Sequence, residues 1–196
     1  MSLLIGASSG LQGAAGASAG GGADLGDTID QSLRFRGGQQ LNRTMSASES
    51  TTYSVWIKIG TPADASYLIS SSASGGAIQL VYDKNGAYLG GDNTGTQYAY
   101  TNEKLRDNSA WYHIVYSRGS SDTRIFINGV ESDYWLDANG SGSAVGSVTV
   151  RIGAIFNLSG SGYYFDGYMA DAQFIDGQQL APTNFGKYND DGVWVP

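Results

Sequence analysis

The sequence predicts an all-β fold, a two-sheet antiparallel sandwich, and three observations carry that expectation. Short segments alternate apolar and polar residues with a period of two, the pattern of a strand with one wet face. Asn-Gly dipeptides stand between such segments, at Asn85-Gly86 and Asn128-Gly129, where they favour the tight turn whose twist matches that of paired strands. The 29 glycines, 13 tyrosines and only 3 prolines fit many short strands joined by turns, and no stretch keeps the period of a long helix.

Residues 1–27 stand apart. Through residue 26 they are almost wholly Gly, Ala, Ser and a few Leu, with Asp24 the only charge. Such a tract buries too little apolar surface to offset its ordering entropy, so an extended arm is predicted. Its anchors would be Leu3, Leu4, Ile5, Leu11 and Leu25, docked on a neighbouring subunit; the alternative is packing back on the arm's own domain. Residues 28–196 form the second unit, of a size that all-β domains commonly reach with one core.

Within it, Ser32–Arg36 alternates and ends at Gly37-Gly38, which reads as a strand end with a glycine turn. Tyr53–Ile59, Ala77–Asp83 and Trp111–Tyr116 alternate likewise. Lys84-Asn85-Gly86-Ala87 is predicted to turn the strand 77–83 into 87–90, and Ile127-Asn128-Gly129-Val130 to close a second hairpin. Further strands are predicted at 66–71, 124–128, 146–153 and 164–175. In the last, alternation would send Tyr168, Ala170, Ala172 and Phe174 to one face and Met169, Asp171, Gln173 and Ile175 to the other. Asp166 and Asp176 each precede a glycine and read as turn residues bounding that strand.

The net charge of −7 and isoelectric point near 4.4 oppose a phosphate backbone, so no nucleic-acid partner is expected. The chain has no cysteine, which excludes disulfides and thiolate chemistry. Leu3-Leu4-Ile5 is shorter than a signal-peptide core of about 7–15 residues, and nothing approaches the roughly 20 apolar residues of a membrane span. No membrane insertion is expected.

The order of segments SLRFRGGQQLNRT, TTYSVWIKIG, AWYHIVYSRG, TRIFINGVE, VRIGAIFN and YYFDGYMADAQFIDGQQLAPTNFG resembles the laminin-G-like branch of the concanavalin A-like lectin/glucanase jelly rolls. The resemblance spans roughly residues 28 to 190 and implies a jelly-roll sandwich. IDQSLRF followed by LNRT, and a close in DGYMADAQFIDGQQLAP leading to GVWVP, resemble proteins of tailed bacteriophages, many of them marine. That likeness implies a virion component on the capsid surface or tail. Its partners would be the major capsid or tail protein and sister subunits, in an oligomeric setting. With the chain closing at Val195-Pro196, a compact decoration or appendage subunit is expected.

Glycoside hydrolysis needs two carboxylates about 5–5.5 or 6.5–9.5 Å apart. The nearest match to the glucanase pattern Glu-x-Asp-x-(x)-Glu is Glu131-Ser132-Asp133, where Trp135 or Leu136 holds the third acidic position. Glu49 and Glu103 are isolated. His113, the only histidine, alternates with Trp111 and Val115 and is expected to be structural. No catalytic residue and no cofactor is therefore predicted. Calcium takes six to eight oxygen ligands; Asp92, Asn93, Thr94 and Gly95, or Asp64, could contribute, although no Asp-x-Asp-x-Asp loop occurs.

The alternative to a purely structural virion role is a glycan- or receptor-binding module of a tail or fibre. Lectin sites stack sugar rings on aromatics and fix hydroxyls with Asp and Asn. The loop-placed candidates are Tyr98 and Tyr100 with Asp92 and Asn93, and Tyr134 with Trp135, the ligand being a host-surface glycan. The alternative is that Tyr98-Ala99-Tyr100 is one face of a strand.

Overall fold

A computed structural model describes residues 2–5, 28–48, 50–61, 65–71, 77–83, 86–92, 98–119, 122–137, 146–154 and 164–196. In chain order its strands are β1 (Ser2–Ile5), β2 (Leu33–Arg36), β3 (Leu41–Ala47), β4 (Thr51–Ile59), β5 (Ala65–Ser71), β6 (Ala77–Asp83), β7 (Gly86–Asp92) and β8 (Tyr98–Thr101). They continue as β9 (Tyr112–Arg118), β10 (Thr123–Ile127), β11 (Val130–Glu131), β12 (Tyr134–Asp137), β13 (Gly146–Ile152), β14 (Asp166–Asp176), β15 (Lys187–Tyr188) and β16 (Trp194–Val195). Among the described residues the only helical element is a single 3₁₀ turn at Pro182–Asn184.

Two large antiparallel sheets result, with β15 and β16 forming a small third one. The first runs β1-β14-β4-β9-β10-β11, with β2 also paired to β14; the second runs β12-β8-β7-β6-β5-β13-β3. The predicted sandwich is thus present. Every interior strand read from alternation is found, and Asn128 and Gly129 take φ of 50° and 80°, the positive values that the predicted turn between β10 and β11 requires. In the other hairpin Asp83 pairs with Gly86, so Gly86 opens β7 and the connection falls at 84–85, outside the described residues.

Between the sheets lies the main core. Tyr53, Val55, Ile57 and Ile59 of β4 meet Leu68 and Ile69 of β5 and Val150 and Ile152 of β13, with Ile114, Ile125, Phe35, Phe165 and Met169 around them. Strands β4 and β9 differ from the half-buried prediction: Thr52, Ser54 and Trp56, on the other side of the β4 pleat, are also buried. The reason is a second apolar cluster outside the first sheet. Trp56, Ala170 and Trp194 form it, with Ile29 and Trp111 packed against them.

β14 corrects the face assignment made from alternation. Its register with β4 shifts between Ala170 and Gln173, and Asp171 sits there with φ 46°. A bulge adds one residue and inverts the phase of the strand beyond it. Met169 and Ala172 accordingly both face the main core with Phe174, while Ala170 faces the outer cluster. Asp166 and Asp176 do bound the strand. The Asp166 carboxylate pairs with Arg34 at 2.8 Å, and the Asp176 carboxylate accepts the Ser48 N–H at 2.6 Å.

In the single chain the start of the arm rests on its own domain. Leu3 pairs with Phe174, Leu4 with Gln173 and Ile5 with Ala172 along β14. This is the alternative named above to docking on a neighbour; Leu11 and Leu25 lie outside the described residues.

Candidate functional site

Two places on the molecule gather chemistry-bearing residues. The first is buried. His113 on β9 lies opposite Trp56 of β4 in register, and their rings stack with centroids 4.7 Å apart. Trp194 of β16 lies nearly parallel to the imidazole, its ring centroid 5.8 Å away, and donates its indole N–H to His113 Nδ1 at 2.9 Å. An indole nitrogen only donates, so Nδ1 carries no hydrogen and the neutral ring holds it on Nε2. That hydrogen is given to Ser54 Oγ at 2.8 Å.

The tautomer decides the chemistry. A serine nucleophile needs a histidine nitrogen that accepts its proton, whereas Ser54 faces a donor. Burial pushes the His113 pKa down to about 3, so the ring is neutral at physiological pH. The assembly is a satisfied polar core, as the sequence predicted for His113.

The acidic segment is equally quiet. Glu131 lies on β11, at the edge of the first sheet, and accepts two hydrogen bonds from Arg124, each 2.9 Å. Asp133 is exposed in the step to β12, which belongs to the second sheet. The two acids are therefore not on one strand. Ser132, between them, donates its hydroxyl to Glu103.

The second place is the side of the second sheet that faces away from the core. Thr101 is buried; its neighbour Tyr100 lies on the opposite side of the pleat and stays partly exposed. Register extends the Tyr100 row to Gly90 of β7 on one side and Trp135 of β12 on the other. Two residues along, Tyr98 lies between Asp92 of β7 and Asp137 of β12. Four of the sequence-picked residues, Asp92, Tyr98, Tyr100 and Trp135, thus come together on three adjacent strands. They stand on strands, not in loops as predicted, because each four-residue segment is completed by its neighbours' backbone hydrogen bonds.

Tyr134 does not join them. It is paired with Thr101 and so falls in the alternate row. Asn93, with Thr94, Gly95 and Asp64 of the calcium reading, lies outside the described residues. Among the described residues no group of three or more His, Cys, Asp or Glu is placed to hold a metal ion.

The family model described as the concanavalin A-like lectin/glucanases superfamily matches residues 33–181. The chain belongs to this superfamily. No curated protein matches it significantly. Among solved structures it is similar to the native heptameric SAP-like pentraxin from Limulus polyphemus, with a TM-score of 0.63 and 18% identity over 78% of this chain and 77% of that one. Domain 4 of AbnA, an extracellular arabinanase from Geobacillus stearothermophilus solved with arabinotriose, gives 0.57 and 16% over 78% and 73%. The mouse laminin α1 chain, domains LG4-5, gives 0.53 and 10% over 78% and 45%. At these identities the likeness is one of fold.

Within this superfamily member, sequence reading missed two partners of the described sites. Trp194 lies 81 residues from His113, and the only local sign of it is an aromatic residue in the closing GVWVP. Asp137 follows Trp135 by two positions, so the alternation of Tyr134-Trp135-Leu136-Asp137 was the available signal.

Proposed function

We propose that this chain is a non-catalytic carbohydrate-binding module displayed on a bacteriophage virion. One observation carries the binding role: register gathers Tyr98, Tyr100 and Trp135 with Asp92 and Asp137 on the outward side of β7, β8 and β12. Aromatic rings offer apolar platforms to the C–H faces of sugar rings, and carboxylates accept hydroxyl hydrogens at fixed positions. Gly90, in the Tyr100 row, adds no side chain there, which leaves room for a ring to approach β8.

The ligand class follows from charge. With a net charge of −7 and two aspartates flanking Tyr98, neutral glycans are favoured over sialylated or sulfated ones. The arabinotriose bound to the arabinanase domain of similar fold supports the same class. A glycan array with neutral and acidic sugars tests this. Binding to neutral glycans that is lost in Tyr100→Ala and in Trp135→Ala, with folding intact by circular dichroism, is expected. Binding confined to acidic glycans, or unchanged in both variants, overturns it.

The virion placement rests on the likeness of IDQSLRF, LNRT and DGYMADAQFIDGQ to phage proteins. In that placement the module is a decoration or appendage subunit with the major capsid or tail protein as partner. Mass spectrometry of purified particles checks it: hundreds of copies mean capsid decoration, a few mean tail, and absence from particles sinks the placement.

A further inference from the structure

We infer that β1 is an exchangeable strand: residues 2–5 of one copy occupy the edge of β14 in a second copy. This does not rest on the glycan reading.

The inference starts from the order of strands along one edge. β1 and β2 are both antiparallel to β14 and lie on the same side of it, since β4 takes the other. β1 covers Ala172–Ile175 and β2 covers Met169–Asp166. Ile5 stands at Ala172 and Leu33 at Met169, three steps or about 10 Å apart along the edge at the usual strand rise. Two residues would bridge that distance, yet residues 6–32 connect them. β1 and β2 are thus two halves of one edge strand joined by a connection much longer than the geometry needs.

The excess length gives the arm reach. From Ile5 to Thr28 the tract is Gly/Ala/Ser-rich, and its length allows a span of up to about 75 Å. A domain of this size is roughly 40 Å across. A neighbour's β14 edge is therefore within range, and β1 would make there the four register pairs that it makes at home. Identical contacts in cis and in trans leave the choice to local concentration, the arrangement that underlies strand exchange between identical copies. A tether of this length supplies an effective concentration of about the millimolar order. Dilute copies then close on themselves, while copies packed side by side on a surface exchange, and each exchange links two domains without a new interface.

The absence of native cysteine makes a direct test possible. Leu4 and Gln173 are register partners. Two differently tagged copies, one Leu4→Cys and one Gln173→Cys, are mixed at concentrations from micromolar to several millimolar and oxidised. A disulfide between the copies is expected, rising severalfold across that range and lost when Leu3→Pro is added to the Leu4→Cys copy, because proline removes a backbone donor from the strand. A doubly substituted chain that closes internally while the mixed single variants stay unlinked at millimolar concentration overturns the inference. So does linkage that survives Leu3→Pro, which marks random collision, and so does failure of the double variant to close.

Discussion

Outside the first sheet, Trp56 and Trp194 both pack against His113, and all three are buried. Outside the second, Tyr100 keeps contact with water beside a buried Thr101. Over the first of these faces the chain's own closing segment is packed. β15 and β16 pair with each other in a small sheet of their own, and their Trp194 lies over β4 and β9. A large aromatic that is already desolvated holds the fold, whereas one left partly in water still has surface that a ligand could bury. On the proposed reading, the difference separates residues whose loss unfolds the domain from residues whose loss abolishes glycan binding.

The largest break in this contrast comes from Trp194→Ala. It removes a stacked ring and leaves His113 Nδ1 without its donor, and loss of a buried tryptophan costs roughly 3–5 kcal/mol. Denaturant titration is expected to show that loss, while Tyr100→Ala shifts the midpoint little. A Trp194→Ala change under about 1 kcal/mol, well below the range for a buried ring, means that the first face is not sealed.

Acid attacks the same face without a mutation. His113 binds a proton readily in the unfolded chain, near its ordinary value of 6.5, but in the fold only near 3. Between those values the unfolded state holds more protons, so stability falls as pH falls, by roughly 1.4 kcal/mol per pH unit. From pH 6.5 to 5 the loss is about 2 kcal/mol. Urea midpoints across that interval check it, and the slope is expected to shrink in His113→Gln.

Gly129→Ala probes how tightly the tail is seated. A Cβ there would enter the ring of Trp194, and the backbone has φ 80°. Left-handed backbone alone costs a non-glycine residue roughly 1–2 kcal/mol. A loss in that range, with weaker indole burial by tryptophan fluorescence, is expected; an unchanged spectrum places the tail elsewhere.

What could be read from the sequence follows the range of each interaction. β4, β6 and β9 were legible because their alternation lies within seven to nine residues of chain. β3, β8 and β12 were not: β8 and β12 have four residues each, and cross-strand bonds define them more than their own pattern does. Asp92, Tyr98, Tyr100 and Trp135 were recognisable as sugar-binding residue types, but their convergence is a matter of register across three strands. That Asp137 shares their row while Tyr134 falls in the alternate one is likewise set by register. The inverted face of β14 needed the partner strands too, since nothing local in Met169-Ala170-Asp171-Ala172 announces a bulge.

That bulge supplies the smallest and most discriminating test. Asp171 carries a carboxyl whose pKa is raised, first by burial and then by the nearby charge of Asp30. The folded state holds that proton more firmly than the unfolded chain, so stability is lost as pH rises through the raised pKa, and at neutral pH the charged form is a burden. Asp171→Asn removes the charge and keeps a residue type that tolerates positive φ. A gain of under about 1 kcal/mol is expected at pH 7, the group being only half-buried, and it should vanish in acid, where the native carboxyl is already neutral. Asp171→Ala is expected to go the other way by roughly 1 kcal/mol, because alanine pays for the left-handed backbone. Opposite signs for Asn and Ala assign the residue to the bulge and its charge to a local penalty. A loss in both variants at pH 7 instead means that the ionised carboxylate has a partner, and the outer side of β14 then belongs with the functional face and not with the sealed one.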